Sequence, residues 1–317
     1  MITQKVFSAN FYAHCHPQEY MNKNSISKRG KVFIFLHFLL NIKCLKFNPI
    51  MGVEYVPIEI TLELYAEKAV VMPFFTGHVA RGLLLHFIQM VDPAASALLH
   101  ELDVSKPYSV TPLRFRSSSR TEKGYVLDPL FPCKVSFRFL KDEYATYLLS
   151  FFQKQNTALI FDTTFQIASM NINCKSYTDI EKEANSTDKI TIEFKTPTYL
   201  TNLHSNYHWM FPDPVKVFCS LMRCWNQFSD DRVFSKEEYI AYKEWLQKNV
   251  GVSKYELQTK LAVMRNKKAT GFTGTVTYEL DDKESLYNKT THMLAKYAEY
   301  ANIGGNKTAA YGQTKLR

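Results

Sequence analysis

Between Val53 and Leu64 the apolar residues Ile58, Ile60, Leu62 and Leu64 alternate with polar ones, the period of a strand buried on one face. Thr76 is placed to cap a helix running to about Met90. Asp92-Pro93 then sets a second helix start, a capping residue followed by the imino acid suited to the first helical position. Lys106 to Arg116 and Cys133 to Leu140 read as strands, joined by a polar segment holding Ser117, Ser118, Ser119 and Gly124. A helix around Glu143 to Gln153 follows, and Phe165, Ile167, Ser169, Met170 and Ile172 mark a closing strand. The order is β-α-β-β-α-β.

The polar stretch Thr178 to Asp188 interrupts this pattern and reads as a linker, after which the order repeats. Ile190, Ile192 and Phe194 alternate in a strand ended by Thr196-Pro197-Thr198, and Asp213-Pro214 opens a helix carrying Phe218, Leu221 and Trp225. Ser235 to Asn249 reads as an extra exposed helix. Tyr255 to Met264 and Phe272 to Leu280 form a hairpin around Lys267-Lys268. A helix from Glu284 to Tyr300 leaves only a few residues for a last edge strand. The expectation is an α+β protein of two tandem ferredoxin-like (RRM-like) domains, residues 51–177 and 189–317, with residues 178–188 as linker. The halves share element order without evident sequence similarity.

Residues 1–50 stand apart. Val32 to Leu40, behind Lys28, Arg29 and Lys31, has the charged and apolar parts of a signal peptide. It begins some thirty residues in, contains His37 and lacks a small-residue cleavage site, and a span needs about 20 apolar residues. Because Met51 can itself be a start, residues 1–50 are read as an N-terminal extension outside the native protein, and a cytoplasmic location is expected.

The 317 residues suffice for two cores at 46% hydrophobic content, and the net charge is +9. Seven basic residues against Glu19 fall in the first fifty, so 32 of the 39 basic and 29 of the 30 acidic residues lie downstream. That remainder is only +3, so a nucleic-acid reading rests on local clusters. One is Lys106, Arg114, Arg116, Arg120 and Lys123, opposed only by Glu122; another is residues 251–317, with eleven basic and six acidic side chains. The six cysteines form no C-x-x-C pair. Cys15 with His14 and His16 lacks a second ligand pair, so no metal and no cofactor are expected.

The stretch GLLLHFIQMVDPAASALLHELDVSKPYSVTPL, from Gly82 to Leu113, carries the best candidate chemistry. If Ala95, Leu98, Leu99 and Leu102 form the buried stripe of the short helix, their mean direction lies about 150° from His100. His100 therefore faces outward, beside a basic strand. A lone histidine is more often structural than catalytic, and Lys106 by itself reads as an ordinary surface lysine. The stretch resembles the CRISPR-associated repeat-processing endoribonucleases of the RAMP superfamily, in which a helix, a Leu-His-Glu step and a lysine before a strand flank the scissile phosphate. The resemblance places the catalytic histidine at His100 and a supporting lysine at Lys106. An assisting tyrosine of some members would fall at Leu85, with His86 adjacent as a substitute.

YANIGGNKTAAYG, from Tyr300 to Gly312, resembles the glycine-rich RNA-contacting loop near the end of the same family, though Ala309, Ala310 and Tyr311 occupy part of it. Gly304 and Gly305 permit positive φ, and Asn306, Lys307 and Thr308 can donate to phosphate, with Gly312 closing the loop. A plain helix cap is the alternative reading of this turn. Arg265, Lys267 and Lys268 on the hairpin and Arg114, Arg116 and Arg120 form further candidate phosphate contacts, or equally a solvated charged face. His78 and His86 lie on one side of the first helix, and a packed pair is the plainer reading.

What the resemblance implies is a metal-independent endoribonuclease acting on CRISPR repeat RNA (pre-crRNA). The neighbouring 2′-hydroxyl would attack, leaving 2′,3′-cyclic phosphate and 5′-hydroxyl ends and needing no cofactor. The first rival is a non-catalytic RAMP-type crRNA-binding subunit. The second is a ferredoxin-like interaction protein without an RNA role. Effector-complex subunits and a second copy of the chain are the further partners left open.

Overall fold

The computed structural model describes residues 56–317 apart from 102–104, 203, 204, 231, 265 and 266. The readings of residues 1–50, Leu102 and Arg265 thus lie outside the described residues. In chain order the elements begin β1 (Ile58–Ala66), β2 (Val70–Met72), α1 (Gly77–Val91), α2 (Pro93–His100), β3 (Tyr108–Val110), β4 (Ser117–Thr121) and β5 (Gly124–Leu127). Next come β6 (Cys133–Phe139), α3 (Glu143–Lys154), β7 (Thr157–Ile160), β8 (Thr163–Cys174) and α4 (Tyr177–Lys182). The rest is β9 (Lys189–Thr198), α5 (Pro214–Phe228), α6 (Lys236–Asn249), β10 (Val250–Met264), β11 (Lys267–Leu280), α7 (Leu286–Ala301), a 3₁₀ turn (Lys307–Ala309) and β12 (Thr314–Leu316).

Two antiparallel sheets organise these elements: β3-β6-β1-β8-β7 in the first half and β10-β11-β9-β12 in the second. Leaving aside the β7 edge hairpin, each sheet orders its strands second, third, first, fourth, the ferredoxin-like arrangement. Period-two burial accounts for β1, whose Ile58, Ile60, Leu62 and Leu64 are all at most 1% exposed. The apparent phase change from Ile167 to Met170 is a bulge. Glu63 pairs with Ser169 and Leu64 with Ile167, so Ala168 has no opposite number and the apolar phase shifts.

Several expectations are corrected. Lys106 to Arg116 is not one strand: β3 spans Tyr108–Val110, followed by a single bridge of Arg114 with Lys134. The polar segment read as joining two strands is itself the β4–β5 hairpin, which forms a small third sheet with β2. Residues 178–188 include most of α4, whose Ile180 is fully buried together with Tyr177 in the second core against Trp225. The strand β9 runs through Pro197, because the β11 ladder shifts register there and leaves no missing donor. The helix α6 also packs inward through Tyr242, Trp245 and Leu246.

The halves meet beneath the loop that follows α7. Ala310 joins the first core cluster although it lies near the chain end, and the Ser109 hydroxyl of β3 donates to the Tyr300 carbonyl at 2.8 Å. Among the described residues no disulfide joins the cysteines, and burial pushes the Cys133 thiol up to about 12. No helix among them is long and apolar enough to cross a membrane.

Candidate functional site

The break between α1 and α2 is built by Asp92-Pro93. The Asp92 carboxylate accepts from the backbone of Ala94 at 2.9 Å and Ala95 at 3.0 Å, while its own N–H donates to the Ile88 carbonyl that ends α1. Such a cap contributes about 1 kcal/mol. The buried Ser96 hydroxyl donates to the Leu85 carbonyl at 3.1 Å, pinning α2 against α1. Thr76, expected to cap α1, does not; its hydroxyl donates to Leu113 instead. The start of α1 is wedged against the C-terminal loop, where a Cβ on Gly77 would sit 2.0 Å from the Ala309 carbonyl oxygen.

These constraints leave a cavity of about 600 Å³ open between the two halves. From α1 it is lined by His78, Arg81, Gly82 and His86, and from α2 by Ser96 and His100. The second half contributes Asn306 and Ala309 from the C-terminal loop and Met264 from the end of β10. His86, His100 and Asn306 are exposed into solvent, whereas His78 and Arg81 are half-buried. The outward direction expected of His100 is what the structure has, by a different stripe: Ser96 and Leu99 are buried, and Leu98 is 48% exposed. Leu85 is buried, so at this point of α1 His86 is the polar group that reaches the cavity.

Lys106 takes another course. Its ammonium donates to the Leu98 carbonyl at 3.3 Å, at the carbonyl end of α2, where a cation complements the helix dipole. It is not among the residues lining the cavity. Arg81 was missed from sequence. The visible signal was the polar face His78-Arg81-Gly82-His86-Gln89, at helical spacing along one side of α1.

The C-terminal loop is largely occupied with its own fold. Gly304 and Gly312 take positive φ, at 88° and 69°, and Gly305 donates to the Tyr199 carbonyl at 3.0 Å. Gly312 donates to Pro197, and the Lys307 ammonium turns inward to the Cys224 sulfur at 3.5 Å. Thr308 lies near the buried Tyr108 hydroxyl, which has no partner of good hydrogen-bond geometry; burial raises the Tyr108 pKa, opposed by Arg81 and Thr308. Of the loop residues expected to contact RNA, Gly304, Gly305, Asn306, Lys307, Thr308 and Gly312, only Asn306 lines the cavity.

The arginines expected to form a strip lie on the small sheet and its approach. Arg116 stacks over Phe131 at 4.0 Å and Arg120 over Phe74 at 5.2 Å, while Arg114 is exposed at the bridge to Lys134. Lys268 is exposed near the start of β11, and the Lys267 side chain lies outside the described part. The histidines of the cavity do not form a metal-ligating group, and among the described residues no set of three His, Cys, Asp or Glu does.

Residues 192–314 match the family model described as CRISPR-associated endoribonuclease Cas6. No curated protein matches the chain in sequence. Solved structures share its fold. A Cas6 product complex is 22% identical over 83% of this chain and 100% of that one, with a TM-score of 0.69. A Thermus thermophilus Cas6 is 20% identical over 84% and 100%, with a TM-score of 0.65. A Cas6-related protein from Pyrococcus furiosus is 12% identical over 82% and 98%, with a TM-score of 0.56.

Proposed function

Because residues 192–314 match the CRISPR-associated endoribonuclease Cas6 family model and the chain shares the double ferredoxin-like fold of solved Cas6 structures, we propose that it is a member of that family and cleaves CRISPR repeat RNA. The observation that carries this reading is the meeting of His100, His86, Arg81 and Asn306 on one open cavity between the two halves. The coarse activity is repeat-RNA processing. The mechanism proposed is metal-independent transesterification.

In that mechanism the 2′-oxygen of one nucleotide bonds to the adjacent phosphorus while the bond from phosphorus to the 5′-oxygen breaks. The 2′-hydroxyl gives up a proton and the departing 5′-oxygen receives one. His100 handles one of these transfers and His86 the other, each worth about 10²–10⁴-fold. The Arg81 guanidinium supplies donors for the non-bridging oxygens, and Asn306 approaches the same phosphate from the opposite half. Lys106 fixes the end of α2 that carries His100 and adds positive charge beside it.

The test is incubation of the protein with its host's own repeat RNA in excess EDTA, with both product ends mapped. Cleavage at one position, leaving a 2′,3′-cyclic phosphate and a 5′-hydroxyl, is the expected result. Cleavage only with added divalent metal would overturn the mechanism, and RNA bound but uncut under every condition would favour the binding-subunit reading.

A further inference from the structure

A second cavity, of about 490 Å³, opens on the other side of the same α1 face and shares His78, Gly82 and His86 with the first. The two are therefore neighbours across a helix wall whose crest is Gly82. The outer rim of the second cavity is apolar, with Val71 at 42%, Leu159 at 61% and Phe161 at 55% exposure, and Lys123 at the tip of the β4–β5 hairpin brings a cation to it.

Two residues that line the second cavity disfavour the fold that carries them. Gly82 lies in the middle of α1, where glycine weakens a helix relative to alanine, yet a Cβ there would meet nothing within 4 Å. No internal packing calls for glycine at this position. Phe161 is the first of the two residues that turn β7 into β8, and it takes φ 56° in a turn with positive φ at that position only. Two-residue hairpins of that form take glycine there, and a bulky residue is strained. The turn gains nothing from phenylalanine, and more than half of the side chain faces solvent.

We infer that the second cavity is a nucleobase pocket: it receives one unpaired base next to the cleaved phosphate, with the RNA backbone crossing α1 at Gly82 and the base lying against Phe161. Both anomalies then have one cause. Glycine lets a sugar-phosphate backbone pass close to the helix, and an aromatic ring on a rigid turn offers a face for stacking that any base can use. Lys123 stands at the rim for a flanking phosphate. This inference rests on the reading of the first cavity as the cleavage site.

The experiment measures affinity for the host repeat RNA made uncleavable by a 2′-deoxy substitution at the scissile position, at one salt concentration, alongside the melting temperature without RNA. Phe161→Gly is expected to melt no lower than the parent yet to bind about 5- to 150-fold more weakly, the range for one stacked base. Gly82→Ala is expected to melt higher and also bind more weakly. An abasic substitution at one of the two nucleotides flanking the scissile phosphate should weaken the parent by the factor seen for Phe161→Gly and leave that variant unaffected. Parent-like affinity of Phe161→Gly, or additive losses with every abasic RNA, overturns the pocket even if the parent cleaves repeat RNA normally. Failure of the parent to bind or cleave that RNA overturns both readings.

Discussion

The side-chain amide of Asn302, which ends α7 with a positive φ of 56°, accepts a hydrogen bond from the Arg138 guanidinium of β6 at 3.1 Å. Arg138 is 8% exposed and also pairs with Glu59, and Asn302 in turn donates to the Tyr311 carbonyl at 3.0 Å. One side chain thus couples a buried charge of the first sheet to the loop that supplies Asn306. Asn302→Gly keeps the backbone conformation and removes only the amide. It should cost about 1.5–3 kcal/mol, as loss of a buried hydrogen bond to a charged group does, measured as a lower denaturation midpoint in urea. A midpoint equal to the parent's would mean the coupling contributes nothing.

Gly305 lies against the ring of Tyr199, with a Cβ position 2.4 Å from Cε2. Tyr199 is itself held by a stack with His208, 4.0 Å between centroids, and by an edge contact with Tyr311. The ring cannot swing away cheaply. Gly305→Ala is expected to destabilise by about 1–3 kcal/mol and to displace Asn306, lowering both melting temperature and cleavage. Normal stability with impaired RNA binding would instead point to direct RNA contact at Gly305.

Arg116 and Arg120 are exposed, and each rests on one aromatic ring. If they meet phosphate, each alanine variant should reduce the slope of log affinity against log salt by about 1, without changing the single-turnover cleavage rate at saturation. An unchanged slope marks them as a solvated face.

His292 is half-buried, with Nδ1 at 3.0 Å from the Asn185 carbonyl oxygen; burial pulls its pKa down, donation from the protonated ring to that carbonyl opposes this, and Lys296 adds to the lowering. Its unfolded value is near 6.5. The folded state therefore binds fewer protons than the unfolded one in the window below that value, and this group's contribution is lost as pH falls from 7 toward its folded pKa. His292→Gln should flatten the fall in denaturation midpoint between pH 7 and pH 5. The same pH dependence in parent and variant would remove His292 as a source.

The element order was legible because the half-buried strands keep strict alternation and because Asp92-Pro93 and Asp213-Pro214 announce helix starts. The β4–β5 hairpin was not legible: Ser117 to Arg120 are exposed on both faces and leave no alternation to read. The packing of α4 was hidden because Tyr177 and Ile180 bury themselves from within a charged segment. In the site, the exposure of His100 survived a stripe that wrongly included Leu98, since sequence alone does not tell which of the adjacent Leu98 and Leu99 turns inward. The loop glycines were readable as close-approach positions, but sequence could not show that Tyr199 of the same chain makes the approach to Gly305.

The central claim is that His100, set by the Asp92 cap and the Ser96 pin into the cavity it shares with His86, takes part in breaking the RNA chain. Single-turnover cleavage of host repeat RNA by His100→Ala, with affinity measured in parallel, tests it most directly. The expected result is a rate lower by about 10²–10⁴-fold with affinity close to the parent's. Cleavage at the parent's rate would contradict the account.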